Sequence, residues 1–417
     1  AILSLHLLLF QFLAAQVYVK KQTRHRFAQL NFGIDVQSSV GGSTSFLNSQ
    51  GDLENVSFSS TLKPRILIGG THFWGHADFY LAIPVAAPSF QAEGQEVTYD
   101  SGVETVFKYY PWRIQHNRLA PFIGTSIAPF YFEQDNTNTR FGDGPELNHT
   151  SLPLYTGFTF NTKQHLLEVG LMYNYAHRQD YYINRSTQIE VETPPLYLSL
   201  SYRYFLDTTL GAEKGWENGS TERITNQLAA KGKLNNFFVG IGMSSAFWIG
   251  NSSYNETFRP YLEKYSTSIM PDFGLGYHFH KPDLNIGVSY RSYSSRTEAY
   301  GAIQVPRRRS LVFELIKNLG DYHGFVPFVG PAISYENLNL RESFEGNLTQ
   351  DITDNKISYG ITFGWDIRPD RIQYFILRTN LRWFPDLSLD TESGMAFSFN
   401  NIEFNFIQLI LYPERIF

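Results

Sequence analysis

Cysteine is absent from the 417 residues, which removes disulfide frameworks and thiolate metal sites and suits a chain that crosses an oxidising compartment before folding. Beyond residue 15 no apolar run reaches the eighteen or more residues of a spanning helix. Helical membrane spans are therefore excluded, although 42% of residues are hydrophobic. Charged residues are few, at 18%, and the net charge of -5 gives no nucleic-acid signal. Catalytic signatures are missing too: no nucleophile motif, phosphate-cradling glycine loop or His-Glu-x-x-His stands out. His72, His76, His278 and His280 have near-metal spacing but fall at turns, without a companion carboxylate arrangement. The expectation is a chain that is no enzyme, with no catalytic residue, no metal site and no cofactor.

Aromatic residues are abundant, with 35 Phe and 26 Tyr, and so is glycine. A membrane β-barrel needs both: aromatic girdles at the two interfaces, and small residues where strands bend or crowd the interior. The chain also repeats itself. Lys63–Phe73 lines up with Met270–His280, Ala120–Ile127 with Val326–Ile333, and Tyr155–Phe160 with Tyr359–Phe363. Three weak matches in the same order, at nearly the same offset, indicate a duplicated unit.

Each copy reads as eight strands, near 28–37, 63–72, 76–86, 102–112, 119–132, 151–162, 165–177 and 194–206, then 236–249, 268–279, 284–294, 306–317, 324–337, 356–367, 373–384 and 401–412. Leu167, Val169, Leu171, Tyr173 and Tyr175 alternate with Glu168, Gly170, Met172, Asn174 and Ala176, giving one face for lipid and one for an interior. The fold class expected is all-β, a transmembrane antiparallel β-barrel. One sixteen-stranded barrel from an 8+8 duplication is preferred, with fourteen strands or two tandem eight-stranded barrels as alternatives. Short links such as Thr162–Gln164, His280–Asp283 and Arg368–Arg371 occupy every second junction, and long polar links occupy the others. Short periplasmic turns and longer extracellular loops are the rule for such barrels, so both chain ends are expected in the periplasm.

Residues 1–15, a short apolar run ending in Ala14-Ala15 before Gln16, read as a signal peptide. The first repeat then covers 16–206 and the second 234–417. The link between them, 207–233, is long for a periplasmic turn. Ser220 can cap a short helix there, with Ile224 and Leu228 on one face, and Trp216, Ile224 and Leu228 are candidates for periplasmic docking.

Strand parity points Asp35, Glu104, Lys108, Glu168, Arg203, Asp272, Arg291, Glu314, Asp366, Arg378, Arg382 and Glu403 away from lipid. Acids and bases are nearly balanced in this set, which suits mutual pairing better than ion selection. Arg307-Arg308-Arg309, the densest basic run, could hold lipopolysaccharide phosphates through guanidinium forks.

The Ala14-Ala15-Gln16 junction, the Pro-Phe-hydrophobic-Gly strand starts at Pro121 and Pro327, the Tyr202-Arg203-Tyr204-Phe205 ending, and the last strand Ile402–Tyr412 leading to Phe417 carry a resemblance. The chain resembles outer-membrane β-barrel proteins of Bacteroidota-type Gram-negative bacteria, in the style of porins and of the outer-membrane protein A type. That resemblance implies residence in the cell outer membrane, contact with lipopolysaccharide, and delivery by the barrel-insertion machinery. It implies no particular substrate. The functional expectation is an accessory subunit of a larger envelope complex for protein insertion, secretion or uptake, with other envelope proteins as partners. The alternative is a porin for passive diffusion of small solutes.

Overall fold

The computed structural model describes residues 29–47, 50–58, 60–86, 89–92, 95–134, 144–206, 220–262, 265, 270–321, 324–368, 374–385 and 387–416. The expected signal peptide, Trp216 and Phe417 lie outside the described residues. The sixteen barrel strands are β1 (Gln29–Ser39), β2 (Leu62–His72), β3 (Ala77–Pro84), β4 (Glu104–Tyr109), β5 (Arg118–Gln134), β6 (Leu154–Thr162), β7 (His165–Tyr173) and β8 (Leu196–Leu206), followed by β9 (Asn236–Trp248), β10 (Met270–Phe279), β11 (Leu284–Ser294), β12 (Ala302–Asn318), β13 (Phe325–Phe344), β14 (Asn347–Ile367), β15 (Phe375–Trp383) and β16 (Asn401–Leu411). Among the described residues no helix is long and apolar enough to cross a membrane.

The ladders settle how these strands close. β8 pairs antiparallel with β1, and β16 pairs antiparallel with β9. Within each set every strand lies beside its sequence neighbour, β5 meeting β6 through side-by-side packing and a Thr156 hydroxyl that donates to the Phe122 carbonyl. The second set is hydrogen-bonded all round. The preferred single sixteen-stranded barrel is therefore corrected to two closed eight-stranded barrels. The physical reason is local: one large barrel would need β8 to pair with β9, whereas each of these strands finds its own ring's first or last strand instead. The matching repeats fall on equivalent strands, β2 with β10, β5 with β13 and β6 with β14.

Parity decides what faces where. Along β1, Phe32, Ile34 and Val36 are exposed while Asn31, Asp35 and Gln37 are buried. Along β7, Leu167, Val169 and Leu171 are exposed while Leu166, Glu168 and Met172 are buried. In the second barrel Phe273, Leu275, Leu311, Phe313, Ile333 and Tyr335 continue the outward apolar surface. In water such faces would be unsheltered, and in lipid they are solvated by acyl chains, so this is a transmembrane barrel of the outer-membrane kind. Midway along β16, at Phe406, a bulge shifts the register between Met243 and Ser244 of the partner strand, so Gln408 and Ile410 take the inward positions after Glu403 and Asn405.

The stretch 339–355, expected as a loop, is a continuation of the ladder. β13 and β14 run to a tight turn at Glu345-Gly346, and at roughly 3.4 Å per residue a strand of this length far exceeds the ~25 Å apolar band. The polar sequence was misleading because cross-strand bonds such as Asn337 to Asn355 and Asn339 to Thr353 satisfy these side chains on the strand surface. At the same end of the first barrel, strands Gly42–Leu47, Leu53–Phe58, Arg178–Tyr182 and Gln188–Glu192 form a small sheet of their own. Among the described residues of the link between barrels lies a helix, α1 (Ser220–Ala230), in which Leu228 is buried.

Candidate functional site

An eight-stranded barrel has an interior just wide enough for side chains to fill, and both interiors here are filled. In the first, Asp35 and Arg65 sit directly opposite each other on β1 and β2. Arg65 forks onto Asp35 through bonds of 2.8 and 2.5 Å, and its remaining amino group donates to Glu104 on β4. Glu104 also accepts from the hydroxyls of Ser126 and Tyr155, each at 2.5 Å. A second cluster lies nearer the short-turn end. There Arg203 reaches Asp78 at 2.7 Å and Glu168 at 3.1 Å, while Lys108 donates to Glu168. The Lys108 ammonium stands 4.4 Å from the Phe122 ring centre, and the Arg203 guanidinium 4.6 Å from that of Tyr80, so aromatic faces supply part of what water would have given.

The second interior is built around linked guanidinium groups. Arg308 holds Glu336 through two bonds, at 2.8 and 2.7 Å, and lies 2.9 Å from Glu403. Arg291 joins Glu403 at 2.7 Å to Asp272 at 2.6 Å. Asp272 accepts further bonds from Asn405 and Ser244 and lies 4.0 Å from Arg382, which itself forks onto Glu314 at 2.6 and 2.7 Å. A separate fork joins Arg378 to Asp366 at 2.7 and 2.9 Å. Arginine suits these places because its planar donors bind carboxylates two at a time, and a buried charge is tolerable only when so satisfied. Space for the large side chains comes from inward glycines. A Cβ on Gly33 would lie 1.9 Å from the Tyr202 carbonyl oxygen and 2.7 Å from the Arg203 Cγ, so a larger residue there would force the β8 backbone as well as the cluster to shift.

The loop ends are closed as well. Over the first barrel, Phe46, Phe132, Tyr181, Ile189 and Val191 pack in one apolar cluster with Phe130 and Tyr197 below. A cavity of about 10 Å³ beneath it, lined by residues including Gln37, Lys63 and Tyr99, has room for about one water. Over the second barrel sits α2 (Ser253–Phe258), whose first turn is capped by the Ser252 hydroxyl accepting from the Asn255 amide at 3.1 Å. Tyr254 and Arg259 both reach Glu342 from this cap, at 3.1 and 2.9 Å. Burial and the adjoining Glu342 carboxylate push the Tyr254 phenol up to about 12, so it remains a donor at any physiological pH. Trp248, Tyr265, Leu389 and Phe397 complete the lid.

The barrels touch at both ends. At the short-turn end the Phe73 ring lies 4.9 Å from that of Phe325, and Phe79 stacks on Trp365 at 6.1 Å. Phe73 is presented by a turn in which Phe73, Trp74 and Gly75 all have positive φ, at 51°, 56° and 89°. Two consecutive non-glycine residues in that region are costly and persist only where packing holds them. At the loop end Arg185 donates to the Tyr300 carbonyl and to Glu345 at 2.9 Å, and the Tyr300 hydroxyl donates back to the Tyr182 carbonyl at 2.7 Å.

The structure thus brings together in two interiors Asp35, Glu104, Lys108, Glu168, Arg203, Asp272, Arg291, Glu314, Asp366, Arg378, Arg382 and Glu403, all buried. Arg65, Asp78 and Glu336 belong with them and were missed, although alternation with outward Ile66 and Ile68 marks Arg65 as inward. Arg308 must leave the set assigned to lipopolysaccharide. It is 1% exposed and committed to Glu336 and Glu403, because consecutive strand residues point to opposite faces and three cannot share one. Arg307 and Arg309 do face outward. Of the docking candidates in the link, Leu228 and the backbone of Ile224 lie in α1. His72 and His76 belong to one barrel and His278 and His280 to the other, and no metal-binding cluster occurs among the described residues.

No protein-family model matches the chain, and no curated protein matches it. Solved structures similar to it are outer-membrane proteins. Neisserial surface protein A is 16% identical, over 42% of this chain and 96% of its own, with a TM-score of 0.30. OmpT of Vibrio cholerae, in its trimer form, is 8% identical over 93% of this chain and 100% of its own, with a TM-score of 0.17. The COG4313 outer membrane channel of Pseudomonas putida F1 is 9% identical over 94% and 97%, with a TM-score of 0.20. The expectation that the chain is no enzyme is withdrawn at this point, because a barrel fold by itself shows neither an activity nor the lack of one. The chain is a β-barrel protein of the transmembrane kind, built as two eight-stranded barrels in tandem.

Proposed function

We propose that this chain is a non-conducting double barrel that serves as an accessory subunit of a larger outer-membrane complex, working through its outer surfaces. The observation that carries this reading is the pair of filled lumens. Each holds a buried network of carboxylates and guanidiniums spanning several strands and is closed at the loop end by an apolar lid. A channel needs water-lined charges, whereas these are neutralised by one another. The porin reading is set aside on the same ground.

The surfaces available for partners support the proposal. The small sheet over the first barrel ends in the strand Leu53–Phe58, most of whose residues are exposed, and a sheet edge offers unpaired backbone groups. On the opposite side, α1 offers a helix in the inter-barrel link. In this proposal the short turns and both chain ends are periplasmic, after the short-turn rule, and the finer resemblance to barrels of Bacteroidota-type bacteria remains part of it. Extraction of the tagged full chain from its native membrane in mild detergent, followed by size-exclusion chromatography, tests the role. A fixed-stoichiometry complex that survives salt is expected. Migration as the free single chain under every mild condition would contradict it.

A further inference from the structure

We propose that Arg307, Arg309 and Arg341 form a docking surface for the phosphate groups of a membrane lipid whose acyl chains lie along the second barrel. All three face outward and are exposed, on the neighbouring strands β12 and β13. In the register Arg307 stands opposite Asn339 and Arg309 opposite Asn337, while Arg341 is opposite Val305. Arg307 is therefore roughly 7 Å from Arg309 along its strand and a similar distance from Arg341 on the diagonal.

Three cations at this spacing repel one another unless an anion sits among them. The surrounding acids fill that role only in part. Asp351, on β14 opposite Arg341, offsets that one guanidinium in part while also accepting from the Asn339 amide at 2.8 Å, but Arg307 and Arg309 face only Asn339, Asn337, Ser294 and Ser292 across their ladders, and Glu298 on the nearby hairpin is taken by Arg296. Among the described residues none of the three guanidiniums has an ion pair or a hydrogen bond, in contrast to Arg308 between them, which is buried and fully engaged.

The ligand follows from what lies next on the same strands. One step toward the short-turn end from Arg309 and Asn337 come Leu311 opposite Tyr335, then Phe313 opposite Ile333, all exposed. Cationic forks directly at the margin of a lipid-facing surface match an amphiphile with phosphate at its head and hydrocarbon below. A free phosphate would use the guanidiniums and leave the apolar margin without a part.

The test uses the full chain, folded in detergent micelles, with native mass spectrometry reading bound bis-phosphorylated lipid A against its dephosphorylated form. The wild type is expected to retain the phosphorylated lipid about tenfold better, and R307Q/R309Q/R341Q to lose that preference. Inorganic phosphate at millimolar concentration should not displace the lipid. Equal retention of both lipids, or an unchanged preference in the triple variant, would overturn the proposal. Displacement by inorganic phosphate would overturn the lipid assignment in favour of a free-anion site. Heat-modifiable gel migration checks folding. Should the glutamine variant not fold, the corresponding triple lysine variant keeps the charge without the fork and is expected to bind more weakly, wild-type retention there counting against the proposal.

Discussion

The two barrels share a strand plan and differ in how their interiors are wired. In the first, the buried charges fall into two separate clusters, Asp35–Arg65–Glu104 and Asp78–Arg203–Glu168–Lys108. In the second, one long chain of contacts runs from Glu336 through Arg308, Glu403, Arg291 and Asp272 to Arg382 and Glu314, with only the Arg378–Asp366 fork standing apart from it. The duplicated strands show where they diverged: Arg65 on β2 and Asp272 on β10 fall on equivalent positions of the repeat with opposite charge. A barrel interior therefore constrains the sum of its charges and the fit of their forks, and leaves the sign at each position free.

That contrast can be broken in measurable ways. Arg65→Met should have the largest effect. Among the described residues Arg65 is the only cation on both Asp35 and Glu104, and stripping the partner from buried carboxylates costs about 3–5 kcal/mol. Chemical unfolding in micelles, followed by near-ultraviolet circular dichroism, should show the first barrel melting early. Arg291→Met should cost less, about 1.5–3 kcal/mol, since Arg308 still holds Glu403, and Asp272 keeps Asn405 and Ser244. If the two losses came out in the reverse order, the wiring would not be what sets tolerance.

The seam comes next. Removing the Trp365 ring, which stacks on Phe79 and lies beside Phe325, should cost about 0.5–1.5 kcal/mol beyond lost area and separate the unfolding transitions of the two barrels. A single merged transition in Trp365→Ala would show that the link, and not the seam, couples them. Glu345→Gln should have the smallest effect, within about 1 kcal/mol, because its pair with Arg185 is half exposed. Protease nicking of the loop end is the more sensitive readout there.

The sequence carried the strands well because each obeys a period of two, and inward Glu168, Arg203 or Glu403 interrupts an otherwise apolar alternation. It did not carry closure. One ring of sixteen and two of eight demand the same alternation on every strand, and the difference rests on whether β8 meets β1 or β9. Arg308 was misplaced by treating a basic triplet as one patch, where parity alone sends its middle member inside. The seam residues Phe73, Phe79, Phe325 and Trp365, with Phe107 edge-on to Trp365 at 6.4 Å, were not separable from an aromatic girdle, since a ring facing lipid and a ring facing a second barrel follow the same pattern. Arg65 and Asp78 were passed over because they lie near strand ends, where polar residues are ordinary.

Ion conductance of the purified full chain in a planar lipid bilayer tests the central claim most directly, that both lumens are filled by their own paired charges. Incorporation of folded, heat-modifiable protein without stable current steps is the predicted result. Large, ohmic, reproducible steps from the same preparation would contradict it.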